Sequence, residues 1–138
     1  KTGPVEGIAA DPRYLDVWVP PGRRKILPVE TTRHAFAYVF EGSGTFRDAS
    51  APLAVKTDFV GPAGESQTGT AENRSLVLFD NGDEVGVRAG DAGIRFLLVS
   101  GRPLGEPVAW QGPIVMNTQE ELRQAYAELR VGTFIRHR

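Results

Sequence analysis

The sequence predicts an all-β fold, an antiparallel sandwich or barrel closed by a single C-terminal helix. Three observations carry this. Apolar residues alternate with period two in segments spaced roughly ten residues apart over the first two-thirds of the chain. Sixteen glycines and ten prolines, nearly a fifth of the 138 residues, punctuate those segments. Only near the end does the apolar period become helical.

Taken in order, Tyr14 to Val19 puts Leu15, Val17 and Val19 on one face and Tyr14, Asp16 and Trp18 on the other, until Pro20-Pro21-Gly22 breaks the strand. Residues 34–40 alternate large Phe36, Tyr38 and Phe40 with small Ala35, Ala37 and Val39, as in a sheet covered on both faces or a barrel strand with a filled interior. Glu41-Gly42-Ser43-Gly44 is expected to turn. Residues 47–74 hold mostly Ala, Ser, Thr and Gly and read as a loop insertion with one edge strand near 53–60. Residues 75–80 form another strand, ahead of Asn81-Gly82, a hairpin dipeptide. Glu84 to Arg88 and Ile94 to Val99 follow as two strands separated by Gly90-Asp91-Ala92-Gly93. Thr118 with Glu121 is a capping box, Leu122, Ala125, Tyr126 and Leu129 form one helical stripe, and Gly132 is the expected stop.

Sixteen basic and seventeen acidic residues leave a net charge of −1. Such a chain offers no general field for nucleic acid or an acidic membrane, and no apolar run approaches the ~20 residues of a membrane span. The absence of cysteine excludes disulfides, thiolate metal sites and a Cys nucleophile. It fits a reducing compartment, and a cytoplasmic location is expected. Lys1-Thr2-Gly3-Pro4 is neither a signal peptide nor a start with Met, so a processed or trimmed piece of something longer is expected. No serine lies in a G-x-S-x-G context and no phosphate-binding loop precedes a helix, so no catalytic residue is assigned. Arg23-Arg24-Lys25 and Arg136-His137-Arg138 are short basic patches without interleaved aromatics, which argues against nucleic acid. Asp80, Asp83, Glu84 and Asp91 read as solvated turn residues.

Tyr38-Val39-Phe40-Glu41-Gly42-Ser43-Gly44 resembles the YVLEGxG end of the first cupin motif. With that motif laid from Gly22, its two histidine positions fall on Pro28 and Glu30, and its glutamate position on His34 or Ala35. The second motif, laid from Gly82, puts Arg88, Gly90, Gly93 and Leu97 at its Pro, Gly, His and Asn positions. The glycine skeleton remains and the ligands do not. Glu30 and His34 are the only candidate metal ligands that this frame supplies, fewer than the three or four that iron or manganese needs.

Ile94-Arg95-Phe96-Leu97-Leu98-Val99-Ser100-Gly101-Arg102-Pro103-Leu104-Gly105-Glu106-Pro107-Val108 and Trp110-Gln111-Gly112-Pro113-Ile114-Val115-Met116-Asn117-Thr118 resemble the FLLLAGxPLxEPV and YGPFVMNTxEE segments of the pirin family. Tyr14-Leu15-Asp16-Val17 and Phe36 to Gly42 resemble two more of its blocks, and Thr32-Arg33-His34-Ala35-Phe36 stands where the family often has G-H-N-A-F. The resemblance is to the C-terminal one of two tandem cupin domains, and it covers the chain apart from 47–74. It implies a cupin-type, jelly-roll-like barrel over 1–138, a single domain whose metal-bearing N-terminal half is absent. It also implies iron or another divalent metal in that half and no cofactor in this chain. The function so implied is a non-catalytic domain that packs against and shapes the metal-bearing half. The alternatives are a fragment of a quercetin (flavonol) 2,3-dioxygenase with residual metal or ligand binding, and a protein-interaction module of transcription-cofactor type. Trp110, Ile114, Val115 and Met116 are too apolar for a free loop, and Trp110, Pro113, Ile114 and Met116 are the candidate packing residues, with the N-terminal cupin domain or a second copy as partner.

Overall fold

The computed structural model describes Gly3 and residues 6–50, 53–54 and 69–135. The chain divides into two compact units, Lys1–Pro103 and Leu104–Arg138. The first contains β1 (Arg13–Val19), β2 (Arg24–Pro28), β3 (His34–Phe46), β4 (Leu53–Ala54), β5 (Ala71–Glu72), β6 (Ser75–Leu78) and β7 (Glu84–Gly101), all paired antiparallel. Its spine is β3 against β7, from His34↔Gly101 to Phe46↔Val87. One arm carries the order β1-β7-β3-β6-β4. In the other, β2 pairs with the beginning of β7 and β5 with the end of β3. Both arms contribute to one core, in which Val19, Val39, Val77, Ile94 and Phe96 are wholly buried. Each such side chain contributes roughly 1.5–3 kcal/mol. This is the cupin-type antiparallel barrel, and the one helix among the described residues lies in the second unit.

Two expected turns are absent. Glu41-Gly42-Ser43-Gly44 and Gly90-Asp91-Ala92-Gly93 lie inside β3 and β7, so the two strands expected at 84–88 and 94–99 are one strand of 18 residues. The pairing shifts register between Val39 and Glu41 and again between Gly42 and Gly44, a bulge that bends the strand. The glycines are there for backbone proximity. A Cβ on Gly42 would lie 2.1 Å from the Gly93 carbonyl oxygen, and one on Gly93 would lie 2.5 Å from the Trp18 ring. Both also have φ above +70°. Asn81-Gly82 does not close a hairpin either. It leads from β6, which pairs with β3, to β7 on the other side of β3.

β1 falls where the alternation puts it. β2 was not anticipated, because Arg24, Lys25 and Pro28 obscure its short pattern. In β3 the small residues face inward: Ala37 and Val39 are wholly buried, while Phe36 and Phe40 remain 37% exposed on the outside. Phe46 and Phe96, ring centroids 5.1 Å apart, already occupy the interior and leave room there only for small neighbours. Of the edge strand expected near 53–60, Leu53–Ala54 pairs with β6, and 55–60 lie outside the described residues.

The second unit holds the hairpin β8 (Ala109–Gln111) and β9 (Ile114–Met116), followed by α1 (Gln119–Val131). Thr118 caps the helix as expected. Its Oγ1 accepts from the Glu121 N–H, and the Glu121 carboxylate accepts from the Thr118 N–H. Gly132 ends the helix in the left-handed region. Leu122 and Ala125 are buried against Ala109 and Ile114. No helix among the described residues is long and apolar enough to cross a membrane.

Candidate functional site

Glu30 and His34, the two ligand candidates of the cupin frame, are both exposed. Arginines engage both oxygens of Glu30: Oε1 lies 2.5 Å from Arg13 Nη2, and Oε2 accepts from Arg33 Nε at 3.1 Å. The hydrogen bond from Arg33 is the main reason that its carboxyl is held below its ordinary pKa. His34 opens β3 opposite Gly101. The frame positions at Gly90 and Gly93 carry no donor, and the interior between the arms is lined by Val17, Val39, Val87, Phe96 and Leu98. No three His, Cys, Asp or Glu side chains come together among the described residues. A divalent iron or manganese calls for three or four such donors, and the described residues of this barrel do not fit one.

Arg33 is a residue that periodicity could not reveal. It is 4% exposed and donates to the Asp11 carboxylate, the Asp11 backbone carbonyl and Glu30. Arg102, just after β7, approaches the same Asp11 carboxylate at 3.6 Å. The cluster therefore ties the approach to β1, the turn before β3 and the end of β7 at one end of the sheet. Hydrogen bonding to Arg33 is also the first cause of the lowered pKa of Asp11. The available signal was an arginine standing where the resembled family has the histidine of its G-H-N-A-F segment.

The outer face of the larger arm is apolar. Tyr14, Val99, Phe36 and Leu78 form one cross-strand row. Leu97, Tyr38, Leu76 and Leu53 form the next, with Asp16 at its end. Beyond it Trp18 lies opposite Arg95. Tyr14 is 64% exposed, and Leu78 and Trp18 are each 44% exposed. Arg95 grips Asp16 through two hydrogen bonds of 2.9 and 2.6 Å and lies 5.4 Å from the centre of the Phe40 ring. That grip lowers the Asp16 pKa, chiefly through the hydrogen bond. Asp16, Trp18, Glu41 and Arg95 surround a depression of about 380 Å³. Polar residues at alternate positions of two apolar strands, Asp16 and Arg95, were the sequence signal for this pair.

In the second unit the four candidate packing residues separate. Ile114 is buried and Met116 half-buried in the unit's own core. Pro113 is exposed, and Trp110, 73% exposed, shares the outer hairpin face with Val115 while its indole N–H donates to the Gly112 carbonyl at 2.7 Å.

Residues 14–135 match the pirin C-terminal cupin domain family. A pirin-like protein of Caulobacter vibrioides is 38% identical over 133 residues, covering 96% of this chain and 40% of that protein. A pirin-like protein of Solanum lycopersicum is 32% identical over 120 residues, covering 86% of this chain and 35% of that protein. The chain thus spans about two-fifths of the length of such relatives. In three dimensions it resembles the crystal structure of a quercetin 2,3-dioxygenase from Acinetobacter baumannii. The TM-score is 0.72 at 23% identity, over 94% of this chain and 38% of that one, a likeness of fold.

Proposed function

Since this chain belongs to the pirin family as a C-terminal cupin domain, we propose that it is a non-catalytic domain which packs against a metal-bearing cupin half and shapes it. The observation that carries this reading is the outer sheet face, where Tyr14, Phe36 and Leu78 stand exposed in one row. A contiguous apolar surface of this kind marks an interaction site. The relatives' greater length is consistent with the occupant proposed, a further domain of the same protein. The apolar barrel interior supports the division of labour, with iron or another divalent metal held by the other half. The lack of cysteine agrees with a cytoplasmic setting.

Two measurements test this. The purified chain, loaded with ferrous iron and then dialysed, is expected to retain far less than one equivalent and to show no oxygen uptake with quercetin. One firmly held equivalent that disappears in His34→Ala would overturn the non-catalytic reading. Separately, Leu78→Asp is expected to weaken association with a metal-bearing N-terminal half by at least about tenfold, because it buries an unpaired charge. Unchanged affinity in a folded variant would move the interface elsewhere.

A further inference from the structure

The smaller arm carries a second surface that the packing role does not use. Its outer side holds a shallow depression of about 460 Å³ whose lining, among the described residues, includes Arg24, Lys25, Arg47 and Arg88 and no carboxylate. Register fixes the arrangement. Arg24 lies directly opposite Arg88, and Arg88 directly opposite Thr45, so β2, β7 and β3 place two guanidinium groups and a hydroxyl in one cross-strand row. Directly opposed residues in an antiparallel pair have Cβ atoms about 4.5–5.5 Å apart, and like charges so placed repel. Among the described residues neither arginine has an acidic partner. Arg47, whose side chain lies over Gly86 on the same arm, is by contrast paired with Glu84 and Asp48. The described residues therefore place two arginines without an acidic partner side by side, with an oxygen-bearing side chain next to them.

We propose that Arg24, Arg88 and Thr45 form a binding site for the phosphate group of a small phosphate monoester. A dianion between two guanidinium groups turns their repulsion into charge-assisted, bidentate hydrogen bonding, and the Thr45 hydroxyl can donate to a third oxygen. This site is independent of the packing face: the two lie on different arms of the barrel.

The test is calorimetric titration and thermal melting of the 138-residue chain at low ionic strength with inorganic phosphate and with AMP. Both are expected to bind saturably and raise the melting temperature, AMP at least as tightly as phosphate. Arg24→Gln and Arg88→Gln should each weaken binding at least tenfold while the ligand-free variants melt at or above the parent temperature, because one of two repelling charges is gone. Arg130→Gln, on α1, should bind as the parent does. The proposal fails if phosphate acts no differently from chloride at equal ionic strength, if AMP binds more weakly than free phosphate, or if the Arg24/Arg88 double variant still binds.

Discussion

The contribution of Arg33 is present at neutral pH and lost in acid. Asp11 and Glu30 have folded-state pKa values below their ordinary ones, each chiefly because Arg33 donates a hydrogen bond to the carboxylate. Between those lowered values and the ordinary range of about 4, the unfolded chain binds more protons than the folded one. The stability these pairs provide is thus fully present above that range and is lost as pH falls through the lowered values. Arg33→Gln is expected to reduce the melting temperature at neutral pH and to flatten its acid decline, as read from thermal melts across the acid range. Added salt should shrink the difference, since the carboxylates are about half exposed. Backbone proximity gives a second residue-scale expectation. Gly42→Ala, with its Cβ against the Gly93 carbonyl, should cost well over ~1 kcal/mol in urea unfolding. Gly82→Ala meets nothing within 4 Å and should lie within about 1 kcal/mol of neutral. Neither Arg33 nor Gly42 was legible from periodicity: Asp11, one of the two acidic partners of Arg33, is 22 residues away, and the partner of Gly42 is another strand's backbone.

Among the elements, α1 was legible to its caps because everything that ends it is local. Thr118, Glu121 and Gly132 bond within a few residues of themselves. Thr118→Ala should accordingly cost about 1 kcal/mol, read as lost helical circular dichroism and earlier melting of the helical signal. The strands divide by the same criterion. β1 was legible because Val17 and Val19, on one face of a continuous alternation, are buried, although Leu15 on that face is exposed. The unity of β7 was not, since glycine reads as punctuation in sequence while here it permits two strands to pass in contact. The outer apolar face shows an intermediate case. Alternation separated Tyr14 and Trp18 from Val17 and Val19, but which aromatic residues of β3 point outward depended on Phe96 of β7 and Phe46 at the far end of β3 filling the barrel.

For the molecule as a whole, the shared spine fixes how the first unit can open. β3 and β7 each belong to both arms, so neither arm can peel away without breaking the ladder that also holds the other. Local opening should be confined to β4 and β5, two residues each. In native-state hydrogen exchange, the amides paired between β3 and β7 should all report one free energy equal to that of global unfolding, with full denaturant dependence, on either side of the bend. If the 84–89 half of β7 exchanged at distinctly lower free energy than the 94–101 half, the arms would be separate cooperative units. With a common value, the two arms never part from one another short of unfolding of the whole first unit. Proteases then reach the β3–β7 backbone only through that unfolded state.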